Sequence, residues 1–255
     1  GSENPTVRFE YAADLPADKP VRFGQAGTDL TPTNESLPGN RRLLVWAGRN
    51  LPGIEAEPFL PPRDEFIPPL RVSTFTDWKE VGLWYWNLSR QEMELPDDLR
   101  ARATEAIKDC AAREEKIAAI YRHVTNEIRY VGIEFGRFGC KPHKAERTFR
   151  ARYGDCKDTA VLFCAMLKAV GIDARVALVR TADRGKERTG IPGAFLFNHA
   201  IAYVPAEKEG APHYWLDGTT DYHAFGELPT MDRDAMALLT GPDGGELVSV
   251  DADSP

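Results

Sequence analysis

Residues 152–172 read RYGDCKDTAVLFCAMLKAVGI, and the reading of this stretch decides the fold. A structural thiol belongs inside an apolar run. Cys156 stands instead at the polar start of one, flanked by Asp155 and Asp158 and preceded by Gly154. Asp155 is a suitable N-cap, and Ala160, Phe163, Cys164 and Leu167 recur at spacings of three and four, so a helix is expected from about here. Gly171 is its natural C-terminal stop. Cys164 lies inside the stripe and reads as core filling. A helix N-terminus and a nearby imidazolium both favour the thiolate, lowering a free thiol's pKa from about 8.5 to roughly 3.5–7.5. The two aspartates oppose that form, so Cys156 needs a base to act as a nucleophile. Lys157 and Asp158 read as a first-turn charge pair.

Downstream of the helix come ARVALVRT, HAIAYVP and HYWLDGT. Each is short, β-branched or aromatic, and bounded by turn residues, which predicts three strands. One helix followed by an antiparallel sheet packed on it makes the class α+β. Five histidines compete for the role of base: His123, His143, His199, His213 and His223. His199 opens a core strand whose tip can reach the start of a helix packed on it. His123 lies on a helix full of charges, and His213 and His223 lie beside turns. Asp217 ends the strand expected to pair with HAIAYV, where it can fix the tautomer of His199. The order is then Cys, His, Asp, with separations of 43 and 18 residues. Tyr153 and Asn198 flank the three and are candidates for shaping the site. Trp215 reads as core.

Upstream, the first ninety-odd residues are rich in Pro, Gly and Asn. TVRFEYAADLP, PVRFGQAG and RRLLVWAGRN predict strands, with PTNESLPGN as turn signals between them. The proline-laden 51–72 reads as an extended connector. Helices follow, over DWKEVGLWYWNLSR, over PDDLRARATEAIKDC and over REEKIAAIYRHVTNEIRYV, the last with Ile117, Ile120, Tyr121, Val124 and Ile128 on one stripe. Trp78, Trp84 and Trp86 read as packing. Residues 132–155 read as a loop, and the end, GPDGGELVSVDADSP, as a fraying tail. The expected organisation is a partial β-rich domain with its connector over 1–75, a catalytic domain over 76–245 and a frayed end over 246–255.

Composition narrows the function. The 255 residues are 42% hydrophobic and 28% charged with a net charge of −7, and no Lys/Arg run exceeds a pair, so nucleic acid is not an expected partner. No apolar stretch approaches the roughly 20 residues of a membrane span. The four cysteines form no C-x-x-C and no zinc-like pattern with histidine, so neither a metal, a cofactor nor a disulfide framework is expected. Gly1-Ser2 reads as a cloning remnant, so the chain is expected to be a fragment.

Taken together, IRYVGIEFG, KPHKAERTFRARYGDCKDTAVLF, GIDARVALVRT, FNHAIAYV and YWLDGT resemble the transglutaminase-like members of the papain-like cysteine enzymes. They are most similar to a bacterial group in which a β domain of unknown function, DUF3857, precedes the transglutaminase-like core. RRLLVWAGRNLPGIEAEPFLPP and DWKEVGLWYW resemble the later part of that β domain, so the fold implied is a nucleophile helix on an antiparallel sheet, preceded by part of a β-sandwich. The resemblance implies Cys156 as nucleophile, His199 as base, Asp217 as orienter, a protein or peptide substrate, a thioester intermediate, and the bacterial periplasm or envelope. Relatives often carry an aromatic-Gln-Pro where this chain has Cys140-Lys141-Pro142, so Lys141 or a backbone N–H is expected to hold the oxyanion. Hydrolysis of an amide or peptide bond is the leading expectation. Transamidation, a non-catalytic binding module, and a redox or acyl-carrier thiol remain as alternatives.

Overall fold

The N-terminal runs form strands around a small apolar centre at Trp46. The computed structural model describes residues 4–25, 31–53, 55, 57–67, 69–188, 190–220 and 222–251, in two units: 1–77 with 183–193, and 78–182 with 194–255. The first unit holds β1 (Thr6–Pro16), β2 (Arg22–Gly24), β3 (Thr33–Leu37), β4 (Arg41–Leu51), a one-turn helix α1 (Arg63–Phe66) and β5 (Arg71–Ser73). β1, β4 and β3 make an antiparallel sheet in that order, and β2 pairs with β5. Trp46 is fully buried, with the rings of Tyr11 and Phe23 at 5.7 and 5.5 Å.

Two expectations are corrected here. Residues 33–37 are an edge strand rather than a turn. The turn falls at 38–40, where Gly39 and Asn40 take φ of 78° and 57°. An edge strand whose side chains face water carries no apolar alternation, so Thr-Asn-Glu-Ser hides it. The connector is not wholly extended either, since it contains α1 and β5, and Arg71 pairs with Asp64 at 2.9 Å. The last two residues of PVRFGQAG lie outside the described residues, as do 54, 56 and 68. Residues 183–193 belong with this first unit, which a single boundary near residue 75 does not anticipate.

The second unit runs α2 (Trp78–Ser89), α3 (Asp97–Ala106), α4 (Arg113–Glu127), β6 (Arg129–Tyr130), α5 (Ala145–Ala151), β7 (Tyr153–Gly154), α6 (Cys156–Ala169), β8 (Arg175–Arg180), β9 (His199–Val204), β10 (Tyr214–Leu216), β11 (Met236–Leu239) and β12 (Glu246–Ser249). α6 is the centre. Every residue from Cys156 to Leu167 is buried, as expected of a helix covered on all sides. The stripe of α4 is buried too, and Tyr121 stacks on Phe163 of α6 with centroids 5.7 Å apart and planes at 3°. Gly171 closes α6 with φ of 78°, its N–H donating to Lys168 O.

The sheet is antiparallel, in the order β10-β9-β8-β11-β12. Three strands are expected from the sequence, and this sheet has five among the described residues. β12 falls in the stretch read as a fraying tail, and it is held firmly. Val250 is fully buried and exchanges backbone bonds with Asp234 and Ala235, and Gly245 N–H donates to Lys79 O. Residues 252–255 lie outside the described residues. Residues 132–155 also hold more than a loop. A 3-10 turn (Gly136–Gly139), α5 and β7 lie there, and the glycines that argue against one continuous element separate these short ones. No helix among the described residues is long and apolar enough to cross a membrane.

Candidate active site

Two glycines bring the backbone together around the start of α6. A Cβ on Gly154 would lie 2.8 Å from both Asp158 Cβ and Thr148 Cγ2, and one on Gly218 would lie 2.6 Å from Thr159 Cγ2. Their absence lets the turn before Cys156 and the Leu-Asp-Gly turn after β10 close on the helix. Asp155 caps α6: its carboxylate accepts the Asp158 N–H at 3.2 Å, and Asp158 accepts the Asp155 N–H at 3.3 Å. Lys157 and Asp158, read as a first-turn charge pair, each bond elsewhere. Both are buried, Lys157 donates to Asp155, and Asp158 accepts from His143 at 3.0 Å. Burial raises the pKa of Asp155, with Lys157 opposing the rise.

Cys156, His199 and Asp217 converge at this end of α6. All three are buried, at 6%, 8% and 2% exposure. His199 Nε2 lies 3.1 Å from Asp217 Oδ2, while Asp217 Oδ1 accepts the Thr219 N–H at 2.8 Å. Tyr121 fixes the same turn by donating its hydroxyl to Asp217 O at 3.1 Å. The register Leu216↔Ala202, continued one residue, sets Asp217 against Ile201, so His199 and Asp217 meet on the diagonal rather than directly opposite. With Nε2 engaged by Asp217, Nδ1 is the nitrogen left for Cys156, whose thiol lies close enough to raise the His199 pKa.

The electrostatics follow from this packing. Burial, the largest single influence on His199, pulls its pKa down. Hydrogen bonds and charge from Asp217 and Cys156 together outweigh it and push it up to about 11. For Asp217, burial pushes upward most strongly, but His199, Asp232 and Thr219 hold it below the usual carboxylate range. Asp232 is fully buried, 3.9 Å from His199 Nε2, and among the groups that hold the Asp217 pKa down. His199, Asp217 and Asp232 each offer a ligand atom within 4.8 Å of the others, so they are the described residues best placed to hold a small cation.

A cleft of about 300 Å³ opens beside the thiol, lined by Cys156, His199, Asn198, Glu134, Trp84, Tyr85, Phe195 and Phe197 among others. Asn198 fastens the start of β9 to Thr181, accepting its N–H at 3.1 Å and donating to its hydroxyl at 2.6 Å. Lys141 is not among the lining residues; its ammonium is 2.7 Å from Glu92 Oε1. Tyr153 is absent from the lining as well, because β7 turns it towards a second hollow of about 120 Å³ with His143 and Asp158. Closeness in sequence to the cysteine does not fix the side on which a side chain emerges. Sequence reading missed Glu134, whose Oε1 lies 3.9 Å from Cys156 Sγ, along with Tyr85 and Asp232. Trp84, read as packing, is 37% exposed and lines the cleft. Tyr85 had a signal in its helical spacing, but the spacing reads equally as core.

The sequence matches the transglutaminase-like superfamily over residues 100–240, more than half of the chain, and the chain belongs to that superfamily. Its fold matches the crystal structure of a candidate protease from Parabacteroides distasonis with a TM-score of 0.74 at 20% identity, covering 98% of this chain. This chain spans 46% of that protein's chain. A candidate cysteine protease from Cytophaga hutchinsonii (13% identity, 99% of this chain and 78% of that one) and LapG from Legionella pneumophila (12%, 65% and 86%) match less well, each with a TM-score of 0.38. Among curated proteins none matches.

Proposed function

We propose that the chain carries out thiol-dependent acyl transfer on an amide or peptide bond, with water as the acceptor. Cys156 is the nucleophile, His199 its acid–base partner and Asp217 the orienter. The observation that carries this reading is the convergence of a helix-start thiol and a buried imidazole–carboxylate pair on one cleft. The substrate is a protein or peptide whose scissile carbonyl enters that cleft.

In the first step the Cys156 thiolate attacks the carbonyl carbon, forming a C–S bond and a tetrahedral oxyanion. The C–N bond then breaks, and the His199 imidazolium gives its Nδ1 proton to the leaving amine. Timing favours that transfer. While the thiolate persists it raises the His199 pKa; once the sulfur is acylated that contribution is gone, and the imidazolium becomes a stronger acid. Asp217 holds the ring in place throughout. In the second step His199 takes a proton from water, the hydroxide attacks the thioester, the C–S bond breaks and the thiol is restored.

Transamidation is the second reading, supported by Glu134. Its carboxylate is 3.9 Å from Cys156 Sγ, half exposed, and charged suitably to draw in an alkylammonium group. Acylation with p-nitrophenyl acetate in the presence of methylamine distinguishes the readings. Acetate as the main product supports hydrolysis, and N-methylacetamide as the main product supports transamidation. Failure of the ester to acylate Cys156, together with alkylation of Cys156 no faster than Cys110 across pH 4 to 9, leaves a binding module as the better description.

A further inference from the structure

Lys141 stands where relatives carry the glutamine expected to hold the oxyanion, and its ammonium is committed to Glu92 at 2.7 Å. One neutral donor does border the thiol. Tyr85, on α2, is 3% exposed, lines the same cleft as Cys156 and His199, and its hydroxyl has no hydrogen-bond partner among the described residues. A buried hydroxyl without a partner forfeits the hydrogen bonds it had in water, and such a group persists where strain, chemistry or a ligand accounts for it.

We propose that Tyr85 is a catalytic residue whose phenolic O–H donates to the oxyanion formed when Cys156 attacks a carbonyl, alongside the Cys156 backbone N–H. The second donor follows from helix geometry, because the first N–H groups of a helix have no partner within it and carry the positive end of its dipole. Tyr85 remains a donor at every working pH. Burial first, then the charges at Cys156, Asp155 and Asp158, pushes its pKa well above the ordinary value of 10.0. A neutral donor suits this position, since it does not compete with His199 for the thiolate in the resting state and gains strength as charge moves from sulfur to oxygen. The inference rests on the thiol chemistry proposed above.

The test compares two reactions of one sulfur in the parent chain and in Tyr85→Phe. Methyl methanethiosulfonate transfers its CH3S group to the Cys156 thiolate and releases methanesulfinate, with no carbonyl and no oxyanion. p-Nitrophenyl acetate acylates the same sulfur through an oxyanion. The expected result is acylation slowed by roughly 10²–10³-fold, with thiolation unchanged within about threefold. The melting temperature should be unchanged or higher, because Phe removes an unsatisfied buried hydroxyl. Equal slowing of both reactions, with a lower melting temperature, would make Tyr85 a packing residue and overturn the proposal. Unchanged acylation would overturn it as well. If the parent chain shows neither reaction at Cys156, the thiol reading itself fails, and this inference falls with it.

Discussion

Two histidine–aspartate pairs flank the start of α6, and by contact alone they are alike. His199 Nε2 is 3.1 Å from Asp217, and His143 Nδ1 is 3.0 Å from Asp158. Both pairs are well covered, at 6% and 0% side-chain exposure for the first and 14% and 5% for the second. They differ in their third neighbour. His199 turns its remaining nitrogen to a thiol beside a cleft. His143 lays its ring against Phe138 at 3.9 Å, over which Arg137 is stacked, and its backbone N–H also donates to Asp158 at 2.7 Å. The second pair fastens the 136–144 segment to α6. A short imidazole–carboxylate contact is therefore no sign of catalysis; what the imidazole faces on its other side decides its use.

Substitution should break this likeness sharply. His199→Ala is expected to slow acylation of Cys156 by roughly 10³-fold or more, as loss of a general base does in comparable triads. His143→Ala should leave the rate per folded molecule within about threefold and lower stability by about 1–3 kcal/mol, since the buried Asp158 carboxylate loses its imidazole partner and keeps only the backbone N–H groups of residues 143 and 155. Denaturant melts and burst kinetics on both variants check this, and equal kinetic losses would erase the distinction. Asp217→Asn comes next, with an expected loss of roughly 10²–10⁴-fold through the wrong tautomer of His199, and thiol labelling that falls off more steeply below neutral pH.

The pH dependence sharpens the comparison further. His199 is held above its ordinary value near 6.5, so its contribution to stability is complete below that pH and is lost as pH rises through about 11. Asp217 is held below its ordinary 3.8, so its contribution is present above that value and is lost as pH falls through the depressed one. Histidine NMR should accordingly find His199 protonated far above neutrality, and Cys156→Ala should move its titration downward by removing one of the two groups that raise it. An unmoved titration would show that thiol and imidazole do not interact. The smallest effect is expected for Glu134→Gln. Removing a carboxylate 3.9 Å from the sulfur should speed alkylation at pH 5 by roughly two- to fivefold, an amount suited to a partly screened charge.

How much could be read in advance depends on how local each feature is. α6 was legible because cap, apolar period and stop lie in one contiguous run, from Asp155 to Gly171. β8, β9 and β10 were legible from short β-branched and aromatic runs. β3 and β12 were not, because edge strands of mixed polarity carry no alternation, and their pairing with β4 and β11 is set by the partner. The same limit applies to the site. Lys141 and Tyr153 lie near Cys156 in sequence but outside its cleft, whereas Tyr85, Glu134 and Asp232 lie far away in sequence and beside Cys156 or His199 in space.

The residues taken alone determined the α+β class, the apolar helix with Cys156 at its first position, and the order in which cysteine, histidine and aspartate follow one another. Tertiary structure alone decided that His199 and Asp217 meet on a diagonal, that Gly154 and Gly218 let two turns close on α6, that Lys141 is spent on Glu92, and that an unpartnered tyrosine hydroxyl lines the cleft. The physical reason is range. Capping and periodicity act within a few residues and are written along the chain, whereas burial, desolvation and the choice of hydrogen-bond partner depend on which distant segments share a volume.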